Sequence, residues 1–243
     1  MLKYSIAIYF LLFIIYAMMG WVMEVTCKSI EAKKFVNRGF LIGPYCPIYG
    51  WGAIFITILL QKYTDDWIIL FLMSIITCGI LEYLTSYVME KIFHARWWDY
   101  SKRKYNINGR VCLETLIPFG ILGLVVMYVT NPFIIRILQS IPENIIHIIS
   151  IILLALFLID SIISLKIVSN VRSTSSKLNK ENLKDNTEEI TAKVKEILRS
   201  RSILNRRLIN AYPDLQARIK QKKEQIKEKT EAVKQDIKKR KNK

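Results

Sequence analysis

The chain is poor in the residues from which most metal and redox sites are made. It has only two histidines, His94 and His147, and four widely spaced cysteines without a Cys-x-x-Cys pair. Two histidines are too few for a histidine-built zinc site, and isolated cysteines are typical of small buried apolar residues. We therefore predict neither a metal ion nor a cofactor.

Nucleotide-binding and hydrolase motifs are also missing from the sequence. No segment fits Gly-x-Gly-x-x-Gly, the Walker A pattern, His-Glu-x-x-His or Gly-x-Ser-x-Gly. The first two patterns cradle phosphates, and the last two supply a zinc site or a serine nucleophile. The chain is therefore predicted not to hydrolyse nucleotides and not to be a familiar hydrolase; whether it is an enzyme at all stays open.

Charge is concentrated at the carboxyl end, whereas long apolar runs fill the first 170 residues. The chain has 243 residues, of which 52% are hydrophobic, and a formal net charge of +16. Residues 171–243 contain 22 of the 36 lysines and arginines but only 10 of the 20 acidic residues. We interpret residues 1–170 as a transmembrane domain and residues 171–243 as a basic, helical, coiled-coil-like cytoplasmic tail.

Five apolar segments predict an all-α polytopic membrane helix bundle. A helix needs about 20 residues to cross about 30 Å of hydrocarbon. The predicted spans are Tyr4–Met23, Gly39–Leu60, Trp67–Phe93, Val111–Thr130 and Ile145–Val168. The first is interpreted as a retained span rather than a signal peptide, because its end offers no good small-x-small cleavage site.

Glycine and proline break the second span near its start. Gly43, Pro44 and Pro47 interrupt it, and a straight helix over Pro47–Leu60 would reach only about 21 Å. Irregular backbone at membrane depth is tolerated only where protein or a water-filled cavity surrounds it, so residues 43–50 are a candidate cavity lining. A proline-tightened loop at the interface is the alternative.

Lysine and arginine are distributed unevenly over the predicted loops. The loops around Lys33 and Lys102 are rich in them, whereas the loops at residues 61–66 and 131–144 are not. By the positive-inside rule the basic loops and the tail are cytoplasmic, which places the amino terminus outside. The protein is thus predicted to be a multi-pass membrane protein.

The tail pattern predicts two amphipathic helices separated at Pro213. Ile190–Leu208 has apolar residues at three-, four- and seven-residue steps, and Leu215–Ile237 has a heptad-like pattern. Such helices can contact another helix or an anionic lipid surface, or serve only as solvated spacers. Their charge also suits RNA, but we do not expect a nucleic-acid partner.

Acidic residues within the apolar spans are the strongest indication of a site. Five of them lie inside or at the ends of the spans: Glu24, Glu82, Glu90, Glu114 and Asp160. An ionisable group there costs about 2.5–3.5 kcal/mol on insertion scales, so each is expected to face the bundle interior and to have a partner. The functional interpretation is a cation, proton or amine site, or an acid–base pair. The structural interpretation is a set of interhelical ion pairs and hydrogen bonds that fix the packing of the helices.

The segment from Leu81 to Arg110 combines two of these acids with aromatic residues and arginines. Arg38, Arg96 and Arg110 lie at the predicted cytoplasmic boundary, where arginine can bind a phosphate or a carboxylate. The two adjacent tryptophans of this segment are typical of an aromatic belt at the headgroup level.

Four stretches of the sequence resemble one family of bacterial membrane proteins. They read GWVMEV at residues 20–25, FVNRGFLIGPYCPIYGWGA at 35–53, LEYLTSYVMEKIFHARWWDYS at 81–101 and NINGRVCLE at 106–114. The family is the CmpB-like family of ABC-transporter type IV permeases. The resemblance covers residues 5–165, and the charged tail lies outside it.

The resemblance implies an integral protein of the bacterial cell membrane that serves as a transport permease. Because the chain has no nucleotide-binding motif, the ATPase would be a separate subunit, and the lipid bilayer is the other expected partner. The motif positions implied as functional or architectural sites are Glu24, Arg38, Pro44, Glu82, Glu90, Arg96, Trp97, Asp99, Asn108 and Arg110. The resemblance implies no substrate and no mechanism.

Two other functions stay open from the residues alone. A membrane-embedded enzyme acting on a lipid or prenyl phosphate would use Glu82 or Glu90 as base and the arginines to bind phosphate. A non-catalytic scaffold would recruit partners through the basic tail. We prefer the permease, because a broken helix beside intramembrane acids is typical of transport sites.

Overall fold

Helices make up about three quarters of the chain that the computed structural model describes, which is residues 3–181, 187–212 and 215–217. They are α1 (Ile6–Ala32), α2 (Pro47–Leu59), α3 (Trp67–Phe93), α4 (Leu113–Val125), α5 (Asn131–Gln139), α6 (Glu143–Glu181), α7 (Thr187–Arg201) and α8 (Ile203–Ala211). A 3-10 turn at Gln61–Tyr63 follows α2, and a π-helical turn at Val126–Thr130 joins α4 to α5. The predicted all-α bundle is confirmed.

Four stretches of helix in this part of the chain are long and apolar enough to cross a membrane. They are Ile6–Ala32, Trp67–Phe93, Leu113–Gln139 and Glu143–Val171. The predicted second span differs from these, because α2 has only 13 residues, a length of about 20 Å. Helix α2 begins at Pro47, and the residues between Lys34 and Cys46 are not helical, so the predicted break is confirmed.

The predicted loop at residues 131–144 is wrong over its first part. Residues 131–139 form α5 and continue the fourth span beyond its predicted end. Pro132 lacks a backbone N–H and disturbs the regular helical ladder. The chain accommodates this with the π-helical turn that immediately precedes α5, so the helix is deformed but does not end.

Caps define the ends of α1 and α3. Side-chain oxygens of Ser5 and Asp66 accept backbone hydrogen bonds at the amino ends of the two helices. At the carboxyl ends, Lys33 and His94 adopt the left-handed conformation, with φ of 50° and 52°. Both helices therefore stop sharply, and each leads into a loop that contacts the tail.

Short strands order the loop that follows α3. They are β1 (Ala95–Arg96), β2 (Asn106–Ile107), β3 (Val111–Cys112) and β4 (Gln216–Ala217). Strands β2 and β3 form an antiparallel hairpin, and β1 pairs antiparallel with β4 from the tail. The hairpin turns at Asn108 and Gly109, whose φ values of 54° and 66° are those that an Asn-Gly pair readily adopts.

The apolar core of the described residues divides into two clusters. The larger packs α1 against α2, α3 and α5 around Leu12, Ile56 and Leu70. The second packs the tail helices against the second half of α6 and the loop after α3, and it buries Ala95, Val171, Val194, Leu198 and Leu208. Where the structure describes the tail, it therefore packs against the rest of the protein and is not a detached spacer.

The tail differs from its predicted pattern in one respect. The single helix expected over residues 190–208 is divided in two, because Ser202 leaves the helical conformation and its hydroxyl caps α8. The second predicted helix, Leu215–Ile237, lies outside the described residues except for 215–217, which lead into β4.

Candidate functional site

A cavity of about 340 Å³ lies between α1, α2, α3 and α4. Most of its wall is apolar and comes from side chains such as Met19, Met23, Ile48, Leu81, Phe119 and Leu122. Polar residues are grouped toward its two ends. Of the residues proposed as sites from the sequence, Glu24, Arg38 and Glu82 line it.

Helix α1 presents one continuous stripe to the cavity. The stripe consists of Tyr16, Met19, Gly20, Met23 and Glu24, which are spaced by three and four residues and so share one helix face. It extends about 12 Å along the helix. The cavity is therefore elongated, with Tyr16 near one end and Glu24 near the other.

A hydrogen-bonded network closes the Tyr16 end. The Tyr16 hydroxyl donates to Asn131 Oδ1 at 2.8 Å and lies 2.6 Å from the Thr130 hydroxyl. The Asn131 amide donates in turn to Thr57 Oγ1 at 2.8 Å. The π-helical turn brings Thr130 and Asn131 into this network, and each buried polar group has a partner, as the interior of a bundle requires.

At the other end, Glu24 divides its carboxylate between a cation and a hydroxyl. Arg38 Nε donates to Oε2 at 3.2 Å, and the Tyr49 hydroxyl donates to Oε1 at 2.8 Å. Tyr49 reaches this position because its ring passes directly over Gly20, where a Cβ would overlap the ring. The glycine of α1 thus permits the contact between α2 and the carboxylate.

Glu82 of α3 lies in the same part of the cavity and is only 6% exposed. Its carboxylate accepts hydrogen bonds from the hydroxyls of Tyr100 at 3.3 Å and Thr115 at 3.5 Å. Among the described residues, no lysine or arginine forms an ion pair with it. Within the described part of the chain, Glu82 is therefore a buried acid whose hydrogen-bond partners are neutral.

Tyr100 lies in the loop after α3 and lines the cavity beside Glu82. Burial raises the pKa of the Tyr100 phenol above its ordinary value, and the Glu82 carboxylate adds to the shift. The phenol therefore stays protonated at neutral pH and donates its hydrogen bond to the carboxylate.

Tyr212, from the tail, also forms part of the cavity wall. The Arg38 guanidinium lies over its ring at 4.6 Å from the centroid and donates to the backbone carbonyl of Ala211. The ring of Trp97 packs edge-on against Tyr212, with centroids 5.1 Å apart. Sequence reasoning missed Tyr212, because a tyrosine in a charged tail carries no signal of a contact with a membrane span.

Four of the predicted site residues form an ion network that does not line the cavity. Glu90 Oε2 lies 3.1 Å from Arg96 Nε and 3.0 Å from Arg110 Nη2. Arg96 Nη1 lies 3.0 Å from Asp99 Oδ1, and Arg110 Nη1 donates to Ser86 at 3.1 Å. Among the described contacts, two carboxylates pair with two guanidinium groups, so the contacts favour a structural role for these four residues.

The loop conformation keeps Asp99 ionised within this network. Burial by itself would raise the pKa of Asp99, but hydrogen bonds from Ser101 and the charge of Arg96 lower it below its ordinary value. A Cβ at Gly109 would collide with the Asp99 carboxylate and crowd Arg96. The glycine of the hairpin turn therefore lets the network close.

Asp160 of α6 binds the non-helical segment that precedes α2. Its carboxylate accepts hydrogen bonds from the backbone N–H of Ile42 at 3.0 Å and of Gly43 at 2.7 Å. The N–H of Cys46 donates to the carbonyl of Ala17, near the middle of α1. The end of this irregular segment is therefore held by α1 and α6. The sequence identified Asp160 as an intramembrane acid without indicating what it would bind.

The remaining predicted site residues lie away from the cavity. Trp97 is 2% exposed and packs against Phe40 and Phe93, so the interpretation of this tryptophan as part of an exposed aromatic belt is wrong. Pro44 is exposed in the irregular segment. Asn108 is exposed in the hairpin turn and donates to a tyrosine hydroxyl of α3 at 3.0 Å.

Comparison with known proteins agrees with the resemblance seen in the motifs. No curated protein and no solved structure matches the chain. One family model matches residues 11–165, a range that contains every cavity-lining residue except Tyr212. Since that match covers more than half of the sequence, the chain belongs to the family described as "Putative ABC-transporter type IV".

Proposed function

We propose that the chain is the membrane permease subunit of an ABC-type transporter and binds its solute in the cavity between α1 and α4. The cavity itself supports this most directly, because it is an apolar chamber inside the bundle with charged residues near one end. Pockets of this size, with a few placed polar groups, are typical of small-molecule sites. The irregular segment and short helix beside it are typical of transport sites.

The proposal places the carboxylate end of the cavity toward the cytoplasm. The loops at residues 33–46 and 94–112 contain eight lysines and arginines against one acidic residue, and positively charged loops stay inside. The amino terminus then lies outside, and the tail lies in the cytoplasm. Residues 1–170 form the membrane domain in this scheme, and residues 171–243 form a cytoplasmic extension.

ATP hydrolysis would come from a separate subunit, since the sequence has no nucleotide-binding motif. That subunit would dock at the cytoplasmic end, where the loops and the tail meet. The tail can couple the docking of that subunit to the cavity, because its strand β4 pairs with β1 and its Tyr212 lines the cavity wall.

The contacts of the arginines do not favour the alternative function, an enzyme that acts on a lipid phosphate. Arg96 and Arg110 are engaged by Glu90, and Arg38 is engaged by Glu24. A phosphate would have to displace a carboxylate from one of them. The contacts of the arginines therefore favour the permease over the enzyme.

A purification from native membranes tests the proposal. Gly52 lines the cavity, and a Cβ there would meet no atom closer than 3.7 Å, so Gly52→Leu fills the cavity without a backbone clash. Ala155 is exposed on α6, and Ala155→Leu is the matched control. Co-purifying proteins and extracted small molecules are identified by mass spectrometry for the wild type and both variants.

We expect an ATPase in fixed proportion to the chain in all three preparations. A small molecule should be recovered with the wild type and with Ala155→Leu but not with Gly52→Leu. Purification of the chain without any ATPase would overturn the permease assignment. Equal recovery of the molecule with Gly52→Leu would show that the cavity is not the binding site.

A further inference from the structure

The residues that line the cavity carry an unbalanced charge. Among the described residues, they include two carboxylates, Glu24 and Glu82, but only one guanidinium, that of Arg38. Arg38 pairs with Glu24 at 3.2 Å. One carboxylate therefore faces the cavity without a cation of its own.

Glu82 is that carboxylate, and its surroundings make a cation favourable. It is 94% buried, and its two hydroxyl donors lie at 3.3 Å and 3.5 Å, toward the long limit of hydrogen bonding. A buried carboxylate with only weak neutral donors is costly. Folding has already removed the Glu82 carboxylate from water. The electrostatic attraction between this carboxylate and an entering cation would therefore carry no further cost for desolvating the protein.

The neighbouring cations of the protein are engaged elsewhere. Arg96 and Arg110 contact Glu90. Arg207 lies outside the cavity lining and donates to a backbone carbonyl of the irregular segment. Within the part of the chain that the structure describes, no lysine or arginine is placed to neutralise Glu82.

The rest of the lining suits an apolar body that carries one cation. Tyr49, Trp98 and Tyr100 border the cavity with Glu82, and aromatic faces attract cations. Beyond them the wall is formed by methionine, leucine and phenylalanine side chains. A strongly polar or anionic solute would lose its hydration along that wall and meet the uncompensated carboxylate.

We infer that the cavity binds an apolar molecule with a single positive charge, such as a protonated amine on an aromatic body, with Glu82 as its counter-ion. This rests on the proposed function and names the class of solute that the permease would take. Glu24 has a different role, because Arg38 and Tyr49 already satisfy its carboxylate.

Three probes of nearly equal shape test the inference on the purified full-length protein at pH 7. They are 1-naphthylmethylamine, which is protonated, 1-naphthylmethanol, which is neutral, and 1-naphthaleneacetate, which is the carboxylate anion of 1-naphthaleneacetic acid. Binding is measured as the rise of melting temperature with probe concentration, since a ligand of the folded state stabilises it. The Gly52→Leu variant, measured in the same way, corrects for effects of each probe on the detergent micelle.

We expect the amine to give the same rise as the alcohol at about one-tenth of the concentration, a preference equivalent to about 1.4 kcal/mol. Glu82→Gln should remove this preference while the alcohol still binds. Glu114→Gln is the matched control, because Glu114 is exposed and pairs with Arg103 at the surface. That variant should keep the full preference for the amine.

The outcomes separate the inference from the function on which it rests. If all three probes bind equally, or if the anion binds best, and Gly52→Leu abolishes binding, the cavity is a binding site but charge selection by Glu82 is overturned. If Gly52→Leu binds the probes as well as the wild type does, or if no probe stabilises the protein, both the cavity site and the inference fail. A loss of alcohol binding in Glu82→Gln would likewise overturn the assigned role, because Glu82 would then shape the cavity rather than select charge.

Discussion

The guanidinium of Arg38 lies over the ring of Tyr212, 4.6 Å from its centroid, and so connects the irregular segment before α2 with the tail. Arg38 also pairs with Glu24, while Tyr212 lines the cavity. The tail thus contributes to the cavity wall near its carboxylate end. Through Arg38, the tail residue Tyr212 is therefore connected to the Glu24 carboxylate in the cavity wall.

Removal of the Tyr212 ring should open the cavity to water. Cys46 lines the cavity and is buried, so its reaction with a water-soluble maleimide reports access. We expect Tyr212→Ala to increase labelling of Cys46 several-fold, as quantified on the cysteine peptide by mass spectrometry. Tyr105→Ala, at an exposed tyrosine of the loop after α3, should leave labelling unchanged. Unchanged labelling in Tyr212→Ala would show that the tail does not close the cavity.

The ion network at Glu90 should be among the most stabilising features of the loop after α3. Glu90→Gln leaves Arg96 and Arg110 without their shared carboxylate, and loss of one partner from a buried ion pair costs about 3 kcal/mol. We expect a clear fall in melting temperature in detergent. Glu114→Gln removes only the exposed bridge to Arg103 and should change stability by less than about 1 kcal/mol. Equal effects of the two substitutions would contradict the structural role of the network.

The sequence predicted the spans and the break at Pro47 because both depend on local properties. A long apolar run has few stable alternatives to a helix in a membrane, and proline acts on its own turn. The continuation of the fourth span through Pro132 was missed for a related reason. Whether a proline ends a helix or only deforms it depends on the packing of neighbouring helices, which the sequence does not display.

The difference between Glu82 and Glu90 could not be predicted from the sequence. Both lie on one stripe of α3, eight residues apart, and both were candidate site residues. The hairpin turn at Gly109 and the loop before it bring Arg96 and Arg110 to Glu90, whereas the described hydrogen bonds of Glu82 come from hydroxyl groups. These contacts depend on chain segments that are distant from α3, so the spacing of the acids carried no information about them.

Low pH should destabilise the folded loop after α3 by protonating Asp99. The pKa of Asp99 is lower in the folded protein than the ordinary value of about 3.9. Its ionisation therefore stabilises the fold fully above that ordinary value, and this contribution is lost as the pH falls through the folded pKa. We expect the difference in melting temperature between the wild type and Asp99→Asn to be constant at neutral pH and to shrink below about pH 4. A difference that persists unchanged into strong acid would mean that the carboxylate charge is not what stabilises the loop.

Asp160 should hold the irregular segment in place through two backbone hydrogen bonds of different importance. Ile42 N–H also lies 3.2 Å from the Ser164 hydroxyl, whereas the N–H of Gly43 donates to the Asp160 carboxylate alone among the described contacts. Asp160→Leu should therefore expose Gly43 to hydrogen exchange more than Ile42, and it should cost about 1–3 kcal/mol for one unsatisfied buried donor. Asp160→Asn keeps one acceptor oxygen and should preserve most of the protection at Gly43. If Asp160→Leu left exchange at Gly43 unchanged, the segment would be held by its contacts with α1, such as the hydrogen bond from Cys46 to Ala17, rather than by α6.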